Sequence, residues 1–378
     1  MSFAETSRQQ ELKAAADDVV ARVVTPIAMA RGLDQQLAHD ELTTIFQALR
    51  PLGYLGSTIG TEFGGAGLTY VEYGLLLEAL ARGPVMLGEV VPPRTINYLG
   101  TEEQKRRWMP KLFSGEWVST ASITEPQAGS DMRGFKTTAV LDGDAYVVNG
   151  VKKWLKLGGI ADLITLMVVD PQSGGLSRLV VERAETPWVS RELPCVGIRN
   201  LSFVEATFDN VRVPRENVLG AAGAGGEQFH RGIESSRVFV GIQGLGIAAA
   251  ALDIAMAYSK ERTAFGRPLA RFQAIQMALG DAATKLKAAR LLCLEALATL
   301  DAGQRTPAGV SMAKVFAVDT AIEVCRTAME SMGAHGLSVE AGVERCWRDA
   351  MMLTAIDGTA NIQRLIVGRE LLGHAAFT

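Results

Sequence analysis

The sequence predicts an α+β multidomain chain: an N-terminal helical domain over residues 1–115, a central antiparallel β-barrel over 116–220 and a C-terminal four-helix bundle over 221–378. Three observations carry this. The apolar period changes from helical to two near Glu116 and back to helical near Gly226. The β segment contains the turn signals Asp142-Gly143-Asp144 and Asn149-Gly150. The stripe Ile275, Leu279, Ala282, Leu286, Ala289, Cys293, Leu297 and Leu300 keeps three-and-four spacing over a whole long helix.

The elements follow in order. Glu11 to Met29, Asp40 to Leu49, Tyr70 to Ala81 and Thr101 to Phe113 read as helices, with Gly53 to Gly67 a glycine-rich break. Thr101 and Gln104 form a capping box. Lys136 to Leu141, Ala145 to Val148, Leu163 to Val169, Leu179 to Val181 and Val204 to Phe208 are strand-like, which suits a small barrel or short sandwich. Gly220 to Gly226 is a boundary loop without dinucleotide-fingerprint spacing. Val238 to Glu261, Phe272 to Asp301 and Ala308 to Met332 are long helices. Arg345 to Thr354 and Ile362 to Leu372 are shorter ones, and Thr359 is placed to cap the second.

Composition narrows the function. The chain has 378 residues, 48% hydrophobic and 21% charged, with a net charge of −3. There is no basic excess for nucleic acid and no polybasic run for a membrane surface. Met1 to Glu5 shows no secretory leader, and Val238 to Ala257 holds Gln243 and Asp253, so it reads as a buried helix. The four cysteines and four histidines are scattered. That argues against a metal site and for a reducing, cytoplasmic compartment.

Asp357, in Ala355-Ile356-Asp357-Gly358-Thr359-Ala360-Asn361, stands just before a predicted helix N-terminus. The unpaired N–H groups there attract electron-rich atoms. By itself such an aspartate is most often a cap.

Several motifs in a fixed order change that reading. They are Thr124-Glu125-Pro126-Gln127-Ala128-Gly129-Ser130-Asp131, Asn149-Gly150-Val151-Lys152-Lys153-Trp154, Val211-Arg212-Val213-Pro214, Glu261-Arg262-Thr263-Ala264-Phe265-Gly266-Arg267-Pro268 with Gln273, Arg348-Asp349-Ala350, and the Asp357 stretch. From about residue 10 to 373 the chain resembles the acyl-CoA dehydrogenase family of flavoproteins.

The resemblance implies FAD held between the β domain and the bundle, with help from a neighbouring subunit of a homodimer or homotetramer. It implies oxidation of an acyl thioester, carried on CoA or an acyl-carrier protein, to the α,β-enoyl thioester. Asp357 matches the base, and its N–H the donor to the thioester carbonyl. The electrons then pass to an electron-transfer flavoprotein. Ile123 and Thr124 match the flavin-contacting strand. Gly129 and Ser130 match the turn near the FAD phosphate and the thioester arm, and Trp154 an aromatic at the flavin ring. Arg262, Phe265 and Gln273 match a segment that reaches FAD across a dimer contact. Glu330 and Gly333 match the pyrophosphate turn, and Thr359 and Asn361 the cofactor side of the last helix. Glu234 and Arg237 match the helix flanking the thioester entrance, and Gly358 the substrate side of the base loop.

The chain departs from the family pattern at several of these positions. Asp357 replaces a glutamate, one methylene longer. Ser236 stands where other members carry the base. Lys156 replaces a threonine that meets flavin N5. Glu330 replaces a glutamine, Ala334 a glycine, and Ala121 a larger residue beside the flavin. These changes keep two further readings open. One is a flavin oxidase or monooxygenase acting on a carbon acid such as a nitroalkane. The other is a non-catalytic subunit of a heteromeric dehydrogenase.

Overall fold

The computed structural model describes residues 5–171, 174–223 and 225–374, without the side chains of 226–231. The reading of Met1–Ala4 as no leader lies outside them.

The first six helices are α1 (Ser7–Val19), α2 (Thr25–Arg31), α3 (His39–Leu49), α4 (Tyr70–Leu80), α5 (Val91–Leu99) and α6 (Glu102–Ser114). Thr101 caps α6 through the expected box: its hydroxyl accepts from the Gln104 N–H, and the Gln104 side chain accepts from the Thr101 N–H at 2.8 Å. Helix α5 escapes sequence reading because Pro92 and Pro93 look like breakers. They lie in its first turn, where the missing N–H groups have no helical partner to lose.

The strands are β1 (Ser119–Ser122), β2 (Thr138–Asp142), β3 (Ala145–Lys156), β4 (Leu163–Val169), β5 (Leu176–Glu182), β6 (Val189–Glu192), β7 (Phe203–Pro214) and β8 (Val218–Leu219). Their order is β6-β7-β3-β2-β4-β5-β8, with β1 also on β4. This corrects the expected barrel. Among the described residues no pairing joins β6 to β8, so the sheet is open, and its edges are blunted by very short strands. It is also mixed, because β1 and β2 run parallel to β4. Asp142-Gly143-Asp144 does turn β2 into β3. Asn149-Gly150 does not turn: β3 runs through it with a shift in register against β7. Gly150, at φ 148°, is a bulge residue packed on Thr137.

The bundle comprises α7 (Gly225–Glu261), α8 (Gln273–Asp301), α9 (Pro307–Ser331), α10 (Val343–Met352) and α11 (Ala360–Leu372). Between α7 and α8 lies a hairpin, β9 (Thr263–Ala264) and β10 (Arg267–Pro268). Helix α7 is apolar and long enough to cross a membrane, but most of it is buried in the bundle core. One contiguous core runs through all three regions, from Ala16 to Leu353.

The three regions are stitched at one junction. Asp349 of α10 accepts from the Ile198 N–H at 2.5 Å. Arg348 reaches Asp34 at 3.1 Å, and Arg345 donates to the Pro84 carbonyl at 2.5 Å. Asn200 donates to the carbonyls of Leu33 and Pro84 at 2.8 and 3.1 Å. The approach is so close that a Cβ on Gly197 would lie 2.3 Å from the Arg348 carbonyl oxygen.

Candidate active site

The loop between α10 and α11 carries Asp357 at φ 54°, followed by Gly358 at φ 95°. A left-handed aspartate is uncommon and persists only where its surroundings hold it. Two side chains do so here. Lys314, 1% exposed on α9, donates to the carbonyls of Ile356 and Gly358 on either side of Asp357. Gln363, fully buried on α11, donates to the Asp357 and Gly358 carbonyls at 3.3 and 3.2 Å. Thr359 caps α11 as expected, accepting from the Ile362 N–H at 3.4 Å. Among the described residues the Asp357 N–H has no acceptor, so it is free to donate to a ligand.

Charged groups surround this loop. Arg237 of α7 feels Asp357, and among the described residues its buried Nε has no partner. Burial pulls the Lys314 pKa down to about 8, against the field of Asp357. Glu89 is a buried carboxyl that sequence reasoning missed. It accepts from the Ser236 hydroxyl at 2.6 Å and pairs with Arg94 at 3.2 Å. Arg94 also donates to Ser235 and, at 2.6 Å, to Ser236. Burial pushes the Glu89 pKa up, Arg94 and Ser236 pull it back, and Asp357 adds to the rise. Ser236 therefore brings a carboxylate to the α7 position that has none of its own. The field of Asp357 acts on three cations, Lys156, Arg237 and Lys314, and on the Glu89 carboxyl.

The turn after β1 is held from beneath. Glu125 and Lys152 form a buried ion pair at 2.8 Å, and the Lys152 ammonium also donates to the Ile123 carbonyl at 2.8 Å. Glu125 accepts from the N–H groups of Lys136 and Thr137 at 2.7 and 3.0 Å. The Thr124 carbonyl accepts from the Lys153 N–H at 2.8 Å, which joins this turn to the bulged end of β3. Gly129 and Ser130 lie exposed on the turn, and among the described residues their N–H groups have no acceptor. Trp154 stands half exposed at φ 65°. A rigid turn with free N–H donors beside an open indole face suits a large planar cofactor with phosphates.

The acyl-CoA dehydrogenase N-terminal, middle and C-terminal domain profiles match residues 6–116, 120–211 and 223–372. The chain belongs to the acyl-CoA dehydrogenase family. Members are FAD-dependent oxidoreductases acting on CH–CH groups, and the rim formed by Thr124, Gly129, Ser130 and Trp154 fits that cofactor. Cyclohex-1-ene-1-carbonyl-CoA dehydrogenase of Geobacter metallireducens is 35% identical, over 94% of this chain and 95% of its own. Butyryl-CoA dehydrogenase from Megasphaera elsdenii superposes with a TM-score of 0.92 at 30% identity, over 98% of this chain and all of its own. A glutaryl-CoA dehydrogenase from Mycobacterium smegmatis in complex with FADH2 gives 0.91 at 26% identity, over 99% and 97%.

Not every residue matched to the family pattern gathers at Asp357. Phe265 and Gly266 form the tip of the β9–β10 hairpin at φ 50° and 75°, and Phe265 is 95% exposed. Arg262, Gln273 and Gly333 are also exposed, and Glu330 lies on the surface 3.8 Å from Arg326. Asn361 is exposed on the first turn of α11. Glu234 is buried and pairs with Arg305, while its charge also acts on Arg237. Lys314 and Glu89 are the charged side chains near Asp357 that sequence reasoning passed over. Lys314 had a signal, a lysine within the apolar stripe Val310, Ala313, Ala317 and Ala321. Glu89 had none, because Ser236, the hydroxyl that ties it to α7, lies 147 positions away.

Proposed function

We propose that this chain oxidises a short acyl-CoA between Cα and Cβ, with Asp357 as the base that removes the α proton. The observation that carries this is the clamped, left-handed Asp357, with its own N–H free and cations around it. The thioester carbonyl would accept from that N–H, so the negative charge of the enolate builds beside a preorganised donor and near Arg237. Donor and base on one residue fix their mutual geometry. Lys314 and Gln363 fix the loop through its carbonyls, so the shorter aspartate is held in one place. FAD, when bound, supplies the hydride acceptor at N5.

The outward Phe265, with Arg262 and Gln273, serves a cofactor site only on another copy, which supports a homodimer or homotetramer. On this reading an electron-transfer flavoprotein removes the electrons and the enzyme works in the cytoplasm. CoA is favoured over an acyl-carrier protein as carrier because the relatives are named for CoA substrates.

The test is anaerobic stopped-flow reduction of the FAD-loaded enzyme by a panel of acyl-CoAs. Asp357→Asn should retain FAD and slow flavin bleaching by at least ~10²-fold. Bleaching at the unaltered rate would remove Asp357 from the chemistry.

A further inference from the structure

The proposed reaction leaves one charged side chain near Asp357 without a task. Lys156 ends β3, just after a bulge: Lys152 pairs with Ala206 on β7, but Leu155 pairs with Val204. Leu155 is 1% exposed and belongs to the core. Trp154 and Lys156, on either side of it, both reach solvent and lie on the opposite face of the strand. That face adjoins the cofactor rim. The Lys153 N–H ties this end of β3 to the Thr124 carbonyl at 2.8 Å, and Trp154 opens outward beside it.

The ammonium is held in place but not neutralised. It lines a cleft with Leu87, Glu89 and Val90, and it packs so closely on Gly88 that a Cβ there would stand 3.0 Å from Nζ. Gln243 borders the same glycine, yet among the described residues no acceptor hydrogen-bonds the ammonium. Glu89 is already taken by Arg94 and Ser236. Burial pulls the Lys156 pKa down, while the fields of Asp357 and Glu89 push back. Lys156 therefore adjoins the cofactor rim and stands within electrostatic reach of the Asp357 loop. A half-buried cation without an acceptor favours negative charge that develops beside it.

We propose that the Lys156 ammonium is the fixed counter-charge of the flavin ring and makes the cofactor easier to reduce. A hydride brings two electrons and one proton, so the ring becomes one unit more negative on accepting it. The ammonium already stands in place when that charge arrives, and nothing has to reorganise. This rests on the ring lying along the Trp154 face, between the end of β3 and the Asp357 loop. It does not depend on Asp357 being the base.

Two measurements on the FAD-loaded enzyme read this charge without an acyl substrate. One is titration with sulfite, which adds to the oxidised ring as an anion and bleaches it. The other is the midpoint potential against a reference dye. Lys156→Met and Lys156→Gln, two neutral replacements, should each weaken sulfite binding at least about tenfold. They should also lower the potential by about 30 mV or more, which is tenfold for a two-electron couple. Lys156→Arg, which keeps the charge, should stay within about threefold of the native enzyme. Native affinity and potential in both neutral variants would overturn the proposal. Equal losses in the arginine and neutral variants would overturn it too, by making shape rather than charge the cause. A lowered potential, beside Asp357→Asn that bleaches at the native rate with acyl-CoA, would uphold the counter-charge and sink Asp357 as the base. An unmoved potential beside an Asp357→Asn that no longer bleaches would do the reverse.

Discussion

Lys314→Met tests how the base loop is held. Methionine keeps the length of the stem but removes the ammonium that grips the Ile356 and Gly358 carbonyls. Each charge-assisted bond is worth about 1.5–3 kcal/mol, so the loss is about 3–6 kcal/mol. Against it stands the cost of burying the cation. The gap between its folded pKa of about 8 and the ordinary 10.5 corresponds to about 3 kcal/mol. Global stability should therefore fall by no more than about 3 kcal/mol, while the loop loses its anchor. A displacement of about 1 Å at a base costs on the order of 10²-fold in rate. Stopped-flow flavin reduction should slow by about that factor, with FAD binding intact. The linkage has a definite sign. Between pH 8 and 10.5 the unfolded chain holds the Lys314 proton that the folded chain has released. The native protein therefore gains stability over that window relative to the variant. Denaturant melts at pH 7.5 and 10 measure the difference. Unchanged flavin reduction in the variant, or a stability difference flat across those pH values, would refute this account of Lys314.

Asp349 gives the opposite window. Burial raises its pKa to about 6, against the pull of the Ile198 N–H, Arg345 and Arg348 and with a smaller push from Asp34. The folded chain binds this proton more tightly than the unfolded one, so its contribution is complete below about pH 4 and lost as pH rises through 6. The gap from 3.8 corresponds to about 3 kcal/mol. Asp349→Asn should remove that slope from denaturant melts between pH 4 and 6.5, and an unaltered slope would exclude Asp349 as its source. Gly150→Ala should destabilise the protein by about 1–3 kcal/mol, because its Cβ would lie 2.6 Å from the Thr137 Cα at a φ unsuited to alanine. A thermal melt matching the native protein would show that the bulge relaxes freely.

Local signals were legible where side chain and backbone act within one turn. The caps at Thr101 and Thr359 and the turn at Gly143 stand where the sequence puts them. Asn149-Gly150 misled because a bulge and a hairpin ask the same of a glycine, and only the partner strand decides between them. The open ends of the sheet were illegible for a related reason: closure depends on pairing between strands far apart in sequence. At the site, Asp357 was readable from its motif. The Glu89, Arg94 and Ser236 cluster was not, since it joins residues more than a hundred positions apart. Lys314 and Gln243 were visible as polar letters in apolar helices, which marked them as odd without saying what they face.

The junction at α10 has a consequence for modularity. The domain borders are visible in the sequence, yet they are not places where the chain can be divided. Excising the β domain would strip Asp349 of its donor at Ile198 and leave a carboxyl shaped for a neighbour that is gone. Removing the first helices would free Arg345 and Arg348 from Pro84 and Asp34. The Asp357 loop begins just after α10, so the segment proposed to do the chemistry hangs from the rivet that fastens all three parts. Recombining such domains between relatives would have to carry Asp34, Pro84, Ile198 and the α10 residues across together, as a single inherited unit.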